Sequence, residues 1–133
     1  MSKRVLIVDD EESIRTSLEK LLSYEKYRTF TSPDGPSALE TVSGERIDLV
    51  LLDIKMPGMD GLEVLGRIKE MREDLPVVII SGHGTISTPV EATRLGAFDF
   101  IEKPIDMERL LLTVRNGLKQ GELERQNVDL KEK

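Results

Sequence analysis

The stretch that decides the fold is VLIVDD, residues 5–10, in which four aliphatic side chains are followed at once by two aspartates. Three later stretches follow the same plan, an apolar run that ends on a polar group. They are LVLLD at residues 49–53, VVIIS at 77–81 and FIEKP at 100–104. Short, almost wholly apolar runs are typical of strands buried on both faces of a parallel sheet. Because function gathers at the carboxyl ends of such strands, we expect one shared site there.

Helical periodicity separates these runs, so strand and helix alternate five times along the chain. A weaker second strand is expected near residues 28–31, the third at 47–53 and the fifth at 98–101. This alternation predicts an α/β three-layer sandwich with helices on both faces of a five-stranded parallel sheet. The expected strand order is 2-1-3-4-5, the flavodoxin-like order, which brings Asp9, Asp10 and Asp53 into one crevice.

Capping signals and apolar spacing place the helices. The acidic run before Ile14 has the character of a helix N-cap, and Pro36 fits the first turn of a helix that ends near Gly44. A fourth helix should end at Gly96. The last helix should bury one side, made of Met107, Leu110, Leu111, Val114 and Leu118.

Composition excludes several classes of function. The chain has 133 residues, a formal net charge of -6 and no cysteine. This acidity argues against direct binding of nucleic acid or an anionic membrane surface, and disulfide or thiol chemistry is impossible. The apolar runs are too short to span a membrane, and the run after Arg4 is too short for a secretory signal, so we expect a cytoplasmic location.

The clustered carboxylates predict a site for a hard divalent cation, best Mg²⁺, because close carboxylates repel one another unless a cation lies among them. Asp53 is the natural nucleophile for a phosphoryl group. Lys103 and the Ser81 hydroxyl could neutralise the oxygens of that group. Each piece has a plain structural alternative, such as helix capping by Asp9 and Asp10. Their joint occurrence on four strand ends favours a functional site.

Three other functions would use a similar fold or a similar acidic site. A haloacid-dehalogenase-type phosphatase needs a second aspartate two positions after the nucleophile, but Lys55 stands there. A flavodoxin-like carrier would not place four acidic residues, Asp9 to Glu12, in its phosphate loop. A binding-only module with a vestigial acidic site stays open until phosphorylation is tested.

Four ordered motifs resemble the receiver domain of bacterial two-component response regulators, over roughly residues 4–120. They are VLIVDDEE at residues 5–12, LLDIKMPGMDG at 51–61, IISGHG at 79–84 and GAFDFIEKP at 96–104. The resemblance implies an aspartyl-phosphate switch in a phosphorelay, in which a sensor histidine kinase phosphorylates Asp53. It also implies that the domain catalyses only its own phosphoryl uptake and hydrolysis.

The same resemblance assigns roles to single residues. Asp10, Asp53 and the backbone carbonyl of Lys55 would bind Mg²⁺, for which Mn²⁺ can substitute, while Asp9 would act mainly through water. Lys103 would pair with the phosphoryl group. The remaining assignments are two switch residues, Ser81 and Phe100, and two residues that tune dephosphorylation, Lys55 and His83. A lone loop histidine such as His83 is otherwise expected to be inert.

The fourth and fifth elements are most similar to receivers of the nitrogen-regulation (NtrC-like) class of transcription activators. That class joins the receiver through a helical linker to an ATPase module and a DNA-binding domain. We expect a receiver at residues 1–120 and the start of a helical, coiled-coil-like linker at 121–133. The alternative for the tail is a frayed helix end. The alternative for the chain is a complete single-domain regulator.

Leu123, Asn127 and Leu130 have the spacing of a coiled-coil seam. A homodimer is therefore expected through the last helix and linker, or through the face formed by the fourth helix, fifth strand and last helix. Pro89 departs from the small residue usual in the family, and it predicts that the fourth helix begins no earlier than residues 86–88.

Overall fold

The computed structural model describes residues 2–82 and 89–132. Strands and helices alternate through these ranges. In chain order they are β1 Arg4–Val8, α1 Glu12–Tyr24, β2 Arg28–Ser32, α2 Gly35–Gly44, β3 Leu49–Asp53, α3 Gly61–Met71, β4 Val77–Ser81, α4 Pro89–Arg94, β5 Asp99–Glu102 and α5 Met107–Glu132.

The five strands form one parallel sheet in the order β2-β1-β3-β4-β5. This confirms the predicted fold and strand order. Val8 pairs with Leu52, and Asp53 pairs with Ile80, so β1, β3 and β4 end at the same level. The residues that follow them therefore meet at one rim of the sheet.

The core has two halves, one on each face of the sheet. Alternate side chains of a strand point to opposite faces. In β1, Leu6 and Val8 join the half that packs under α2 and α3, whereas Val5 and Ile7 join the half that packs under α1 and α5. Every residue of β3 and β4 is buried. Each large aliphatic side chain buried in this way contributes about 1.5–3 kcal/mol, which fixes the strands that carry the polar rim.

Some element boundaries differ from the sequence prediction. β3 begins at Leu49 rather than Ile47, and the Asp48 side chain just before it accepts the backbone N–H of Arg4 at 2.7 Å. β2 extends to Ser32, and β5 occupies Asp99–Glu102, one residue later than expected. The prediction for Met107 was wrong, since it is 42% exposed at the first turn of α5.

Helix capping is only partly as predicted. Glu11 is the N-cap of α1, but its side chain makes no capping hydrogen bond. At α2 the Asp34 carboxylate accepts the N–H of Ser37, and Pro36 lies in the first turn as expected. The described part of α4 opens at Pro89. Residues 83–88 lie outside the described ranges, so the predicted start of this helix stays a prediction.

α5 is a single helix of 26 residues that runs through both Gly117 and Gly121. The segment assigned to a linker is therefore helical as far as Glu132, while its role as a linker stays a prediction. Among the described helices, none combines the length and the apolar character needed to cross a bilayer.

Candidate functional site

Three aspartates meet at the rim formed by the ends of β1 and β3. Carboxylate oxygens of Asp9, Asp10 and Asp53 all lie within 4.8 Å of one another. Asp9 and Asp53 are buried, with 2% and 3% exposure, whereas Asp10 is exposed. Close carboxylate oxygens of this kind form a donor set suited to a hard divalent cation.

Asp9 has both a structural and an electrostatic role. Its Oδ1 accepts the N–H of Glu11 at 2.9 Å, which orders the turn into α1. Its Oδ2 lies 3.6 Å from the Lys103 ammonium. The capping alternative raised by the sequence thus describes one oxygen of Asp9, while the other faces the acidic cluster.

Lys103 reaches this cluster from the opposite side. It follows β5, and its backbone N–H donates to the Ser81 carbonyl at 2.7 Å, which holds it against the end of β4. Its Nζ lies 3.7 Å from Oδ2 of Asp53. The peptide bond from Lys103 to Pro104 is cis. One ammonium is therefore placed between two buried carboxylates.

The pKa of Asp53 is raised to about 6, chiefly by burial and then by the neighbouring Asp9 carboxylate, while Lys103 and the Lys55 N–H act to lower it. The Lys55 N–H donates to Oδ1 of Asp53 at 3.3 Å. Burial also raises the pKa of Asp9. Two buried carboxyl groups with raised pKa values thus lie at one rim. This pattern is expected of a site that binds additional positive charge.

An open cleft of about 600 Å³ gives access to Asp53. Its walls come from the loops after β1, β3, β4 and β5. The lining residues are Asp10, Glu11, Asp53, Lys55, Met56, Pro57, Gly82 and Lys103. A phosphoryl-sized group can therefore approach the Asp53 carboxylate beside the Lys103 ammonium.

The other predicted residues lie in different surroundings. Ser81 is fully buried at the end of β4, and its hydroxyl donates to the Gly82 carbonyl at 2.9 Å. Phe100 is half-buried in β5 and packs against the core half under α3. Lys55 is exposed at the mouth of the cleft. His83 lies outside the described residues.

Two residues that support the site were missed by the sequence reasoning. Arg15 donates from Nη1 to the Asp9 carbonyl at 2.6 Å, tying α1 to the loop after β1. Gly61, the first residue of α3, lies so close to the end of β3 that a Cβ there would be 2.6 Å from the Asp53 carbonyl oxygen. A glycine just after the N-cap Asp60 was the available signal for this close approach.

Comparison with known proteins agrees with this geometry. The model of the response regulator receiver domain family matches residues 5–115. Sporulation initiation phosphotransferase F of Bacillus subtilis is 41% identical over 118 residues, which cover 89% of this chain and 95% of that protein. The chain belongs to the response regulator receiver domain family, whose members are phosphorylation-dependent signalling domains.

Longer relatives show the same region within larger proteins. A putative NtrX-like response regulator of Rickettsia bellii is 41% identical over 131 residues, which cover 97% of this chain but only 27% of that relative. The crystal structure of NtrX from Brucella abortus in complex with ADP superposes with a TM-score of 0.90 at 45% identity, covering 98% of this chain and 30% of that one. The chain thus spans about a quarter to a third of these NtrX relatives.

Proposed function

We propose that this domain is a switch in which Asp53 accepts a phosphoryl group from a histidine of a sensor kinase. The observation that carries this proposal is the buried Asp53 carboxylate, which opens to a cleft and faces Lys103 at 3.7 Å. The cleft leaves room for a further group to reach Asp53 beside the Lys103 ammonium.

In the proposed reaction an Asp53 oxygen forms a bond to phosphorus as the bond from phosphorus to the histidine nitrogen breaks. The electron pair of that bond leaves with the histidine, and the product is an aspartyl phosphate. Most of the catalysis in such a transfer is positioning and neutralisation of charge. The Lys55 N–H orients Asp53, and the Lys103 ammonium is within reach of the oxygens that enter beside it.

The donor set fits Mg²⁺, with Mn²⁺ as a substitute. Asp10, Asp53 and the Lys55 carbonyl would hold the ion, and Asp9 would act through water. When bound, the ion supplies positive charge for the carboxylates and for the incoming phosphoryl oxygens. Relief of repulsion between two buried carboxylates supports this assignment.

The relay we propose runs through the end of β4 and β5. The Ser81 hydroxyl would turn from the Gly82 carbonyl towards the phosphoryl group, and Phe100 would move further inward. A shift of the population from a mostly inactive to a mostly active conformation requires roughly 5 kcal/mol of differential stabilisation. Charge-assisted contacts from Lys103 and Ser81 to the new phosphate would supply part of it. Lys55 and His83 would tune the lifetime of the phosphate.

The outputs we propose follow from the exposed surface and from the NtrX relatives. Leu95, directly after α4, and Met107 and Leu112 in α5 are exposed, which supports a homodimer through the face that includes β5 or through the last helix. A cytoplasmic receiver that controls transcription through attached ATPase and DNA-binding domains fits the longer relatives. The domain itself would be a regulator, catalysing only its own phosphoryl uptake and loss.

Intact mass spectrometry after incubation with acetyl phosphate tests the proposal. We expect one phosphoryl group on the unaltered chain when Mg²⁺ is present and none after chelation. Asp53→Ala should take up none. Asp74→Ala, which removes a carboxylate from the loop before β4, is the matched control and should be phosphorylated like the original chain. Failure of the unaltered chain to gain a phosphoryl group in any condition would favour the binding-only alternative.

A further inference from the structure

Three residues of α5 share one face near the end of the described chain. Gly117, Gly121 and Arg125 recur at every fourth position, so they lie above one another on the helix. Both glycines are buried, whereas Leu123, two residues after Gly121, is 52% exposed. We call residues 117–125 the α5 arm. One side of this arm faces the domain, and the other faces outward.

The two glycines let the arm lie directly on the sheet. A Cβ at Gly117 would be 2.7 Å from Cδ1 of Leu49, the first residue of β3. A Cβ at Gly121 would be 2.9 Å from Cδ of Pro76, just before β4. Glycine ordinarily weakens the interior of a helix. Here the missing side chain is what permits the close contact.

Arg125 completes this face with a charge contact. Its Nη1 donates to Oδ1 of Asp48 at 3.2 Å. Asp48 is 3% exposed, and its Oδ2 accepts the Arg4 N–H at 2.7 Å. A second guanidinium, that of Arg46, lies 3.8 Å from the same oxygen. A buried carboxylate requires such partners, because a buried charge without one is strongly unfavourable.

We propose that Asp48 and Arg125 form a latch that seats the α5 arm on the domain and fixes the direction in which the chain leaves it. Two glycines four residues apart would otherwise make this part of the helix a hinge. When Asp48 and Arg125 are paired, a shift of α5 relative to the sheet also moves the end of the arm. The latch depends on contacts at the amino ends of β1 and β3, opposite the acidic cluster, and so does not rest on the proposed function.

Hydrogen exchange of the full chain, without a phosphoryl donor, tests the latch. Arg125→Gln should speed exchange of the arm amides about tenfold, because it removes a hydrogen bond to a buried charge. Lys119→Gln removes an exposed cation from the same helix and should leave exchange unchanged. Equal exchange in the unaltered chain and Arg125→Gln would overturn the proposal.

Two glycine-to-alanine substitutions give a second test by hydrogen exchange. The effect expected in the arm is the opposite of the one that helix propensity predicts. Gly121→Ala should speed exchange in the arm, although alanine favours a helix, because its Cβ pushes the arm off Pro76. Gly66→Ala in α3 meets nothing within 4 Å and should slow or leave unchanged the exchange of its own helix. Slower arm exchange in Gly121→Ala would show that the arm is not seated, and would overturn the proposal.

Spin labelling separates seating of the arm from local fraying. The chain has no cysteine, so Gln126→Cys offers a single label at an exposed position beside the latch. The label should be mobile when Arg125→Gln is added and restrained when Lys119→Gln is added. Asp53→Ala should keep the label restrained, so loss of phosphorylation and loss of the latch have different signatures. A label equally mobile in all variants would contradict the latch.

Discussion

At the scale of the residue, Asp53 holds a charge that the folded domain disfavours. Its pKa is about 6, against a usual value of 3.8, chiefly because it is buried. The folded state therefore binds a proton more tightly than the unfolded state between these two pH values. The contribution of Asp53 to the free energy of unfolding should accordingly rise as the pH falls from about 7 towards 4, the reverse of a salt-bridged aspartate.

Asp53→Asn should remove much of this dependence. Without Mg²⁺, we expect the variant to be about 1–3 kcal/mol more stable than the unaltered chain near pH 7.5, since the amide keeps its shape but carries no charge. The gain should shrink as the pH approaches 4. Urea unfolding at a series of pH values measures this. A variant less stable at pH 7.5 than at pH 4, by the same margin as the original chain, would contradict it.

Lys103→Met should shift the same titration upward, because the ammonium lowers the pKa of Asp53. Without Mg²⁺, an NMR titration of the Asp53 carboxyl group should therefore have its midpoint at a higher pH in the variant than in the unaltered chain. Lys20→Met, an exposed lysine of α1, is the control. An unchanged midpoint in Lys103→Met would show that the ammonium does not act on Asp53.

At the scale of the element, the contact between β3 and α3 sets the position of Asp53. Gly61→Ala would bring a Cβ to 2.5 Å from Cα of Ile54 and 2.6 Å from the Asp53 carbonyl oxygen. Both are backbone atoms that cannot move aside, so we expect a loss of about 1–3 kcal/mol. Gly66→Ala, in the same helix, should instead stabilise by about 0.5–1 kcal/mol. Chemical denaturation of the two variants should give shifts of opposite sign.

The sequence predicted the elements that a single pattern determines. Residues 5–8, 49–53 and 77–81 are wholly apolar up to their last position, and their strands follow from that. Contacts between distant residues could not be predicted in this way. The contacts of Asp48 are an example, because its partners Arg4 and Arg125 lie 44 and 77 positions away. The support that Arg15 gives to the Asp9 carbonyl is local in sequence, six positions away, but it depends on how the side chain folds back from α1, which no sequence pattern shows.

The sequence predicted which types of residue form the candidate site and at which rim of the sheet they lie, because both follow from where the strands end. Its electrostatics were not, since a pKa of about 6 depends on how deeply Asp53 is buried. The burial of Ser81 and the approach of Gly61 also depend on packing. Met107 shows the opposite error, as helical spacing placed it on the buried side although the helix begins there in solvent.

At the scale of the whole molecule, the expected domain boundary at residue 120 can be tested by shortening the chain. A chain that ends after Gln120 loses Arg125 and leaves Asp48 with weaker partners, so it should be about 1–2 kcal/mol less stable than the full chain. A chain that ends after Gln126 keeps Arg125 and should match the full chain. Equal stability of the two shortened chains would show that the folded unit ends by residue 120.

The parallel strands also divide the molecule into regions that differ in their tolerance of added length. An extra residue inside β3 would turn every later side chain of that strand to the other face, and Asp53 with them. The turns at the amino ends of the strands, such as residues 25–27, are far from the rim. Length can change there without altering the spacing of the carboxylates. Inserted peptides and reporter loops should therefore be tolerated at that edge of the sheet, because added length there leaves the carboxylate site of this receiver unchanged.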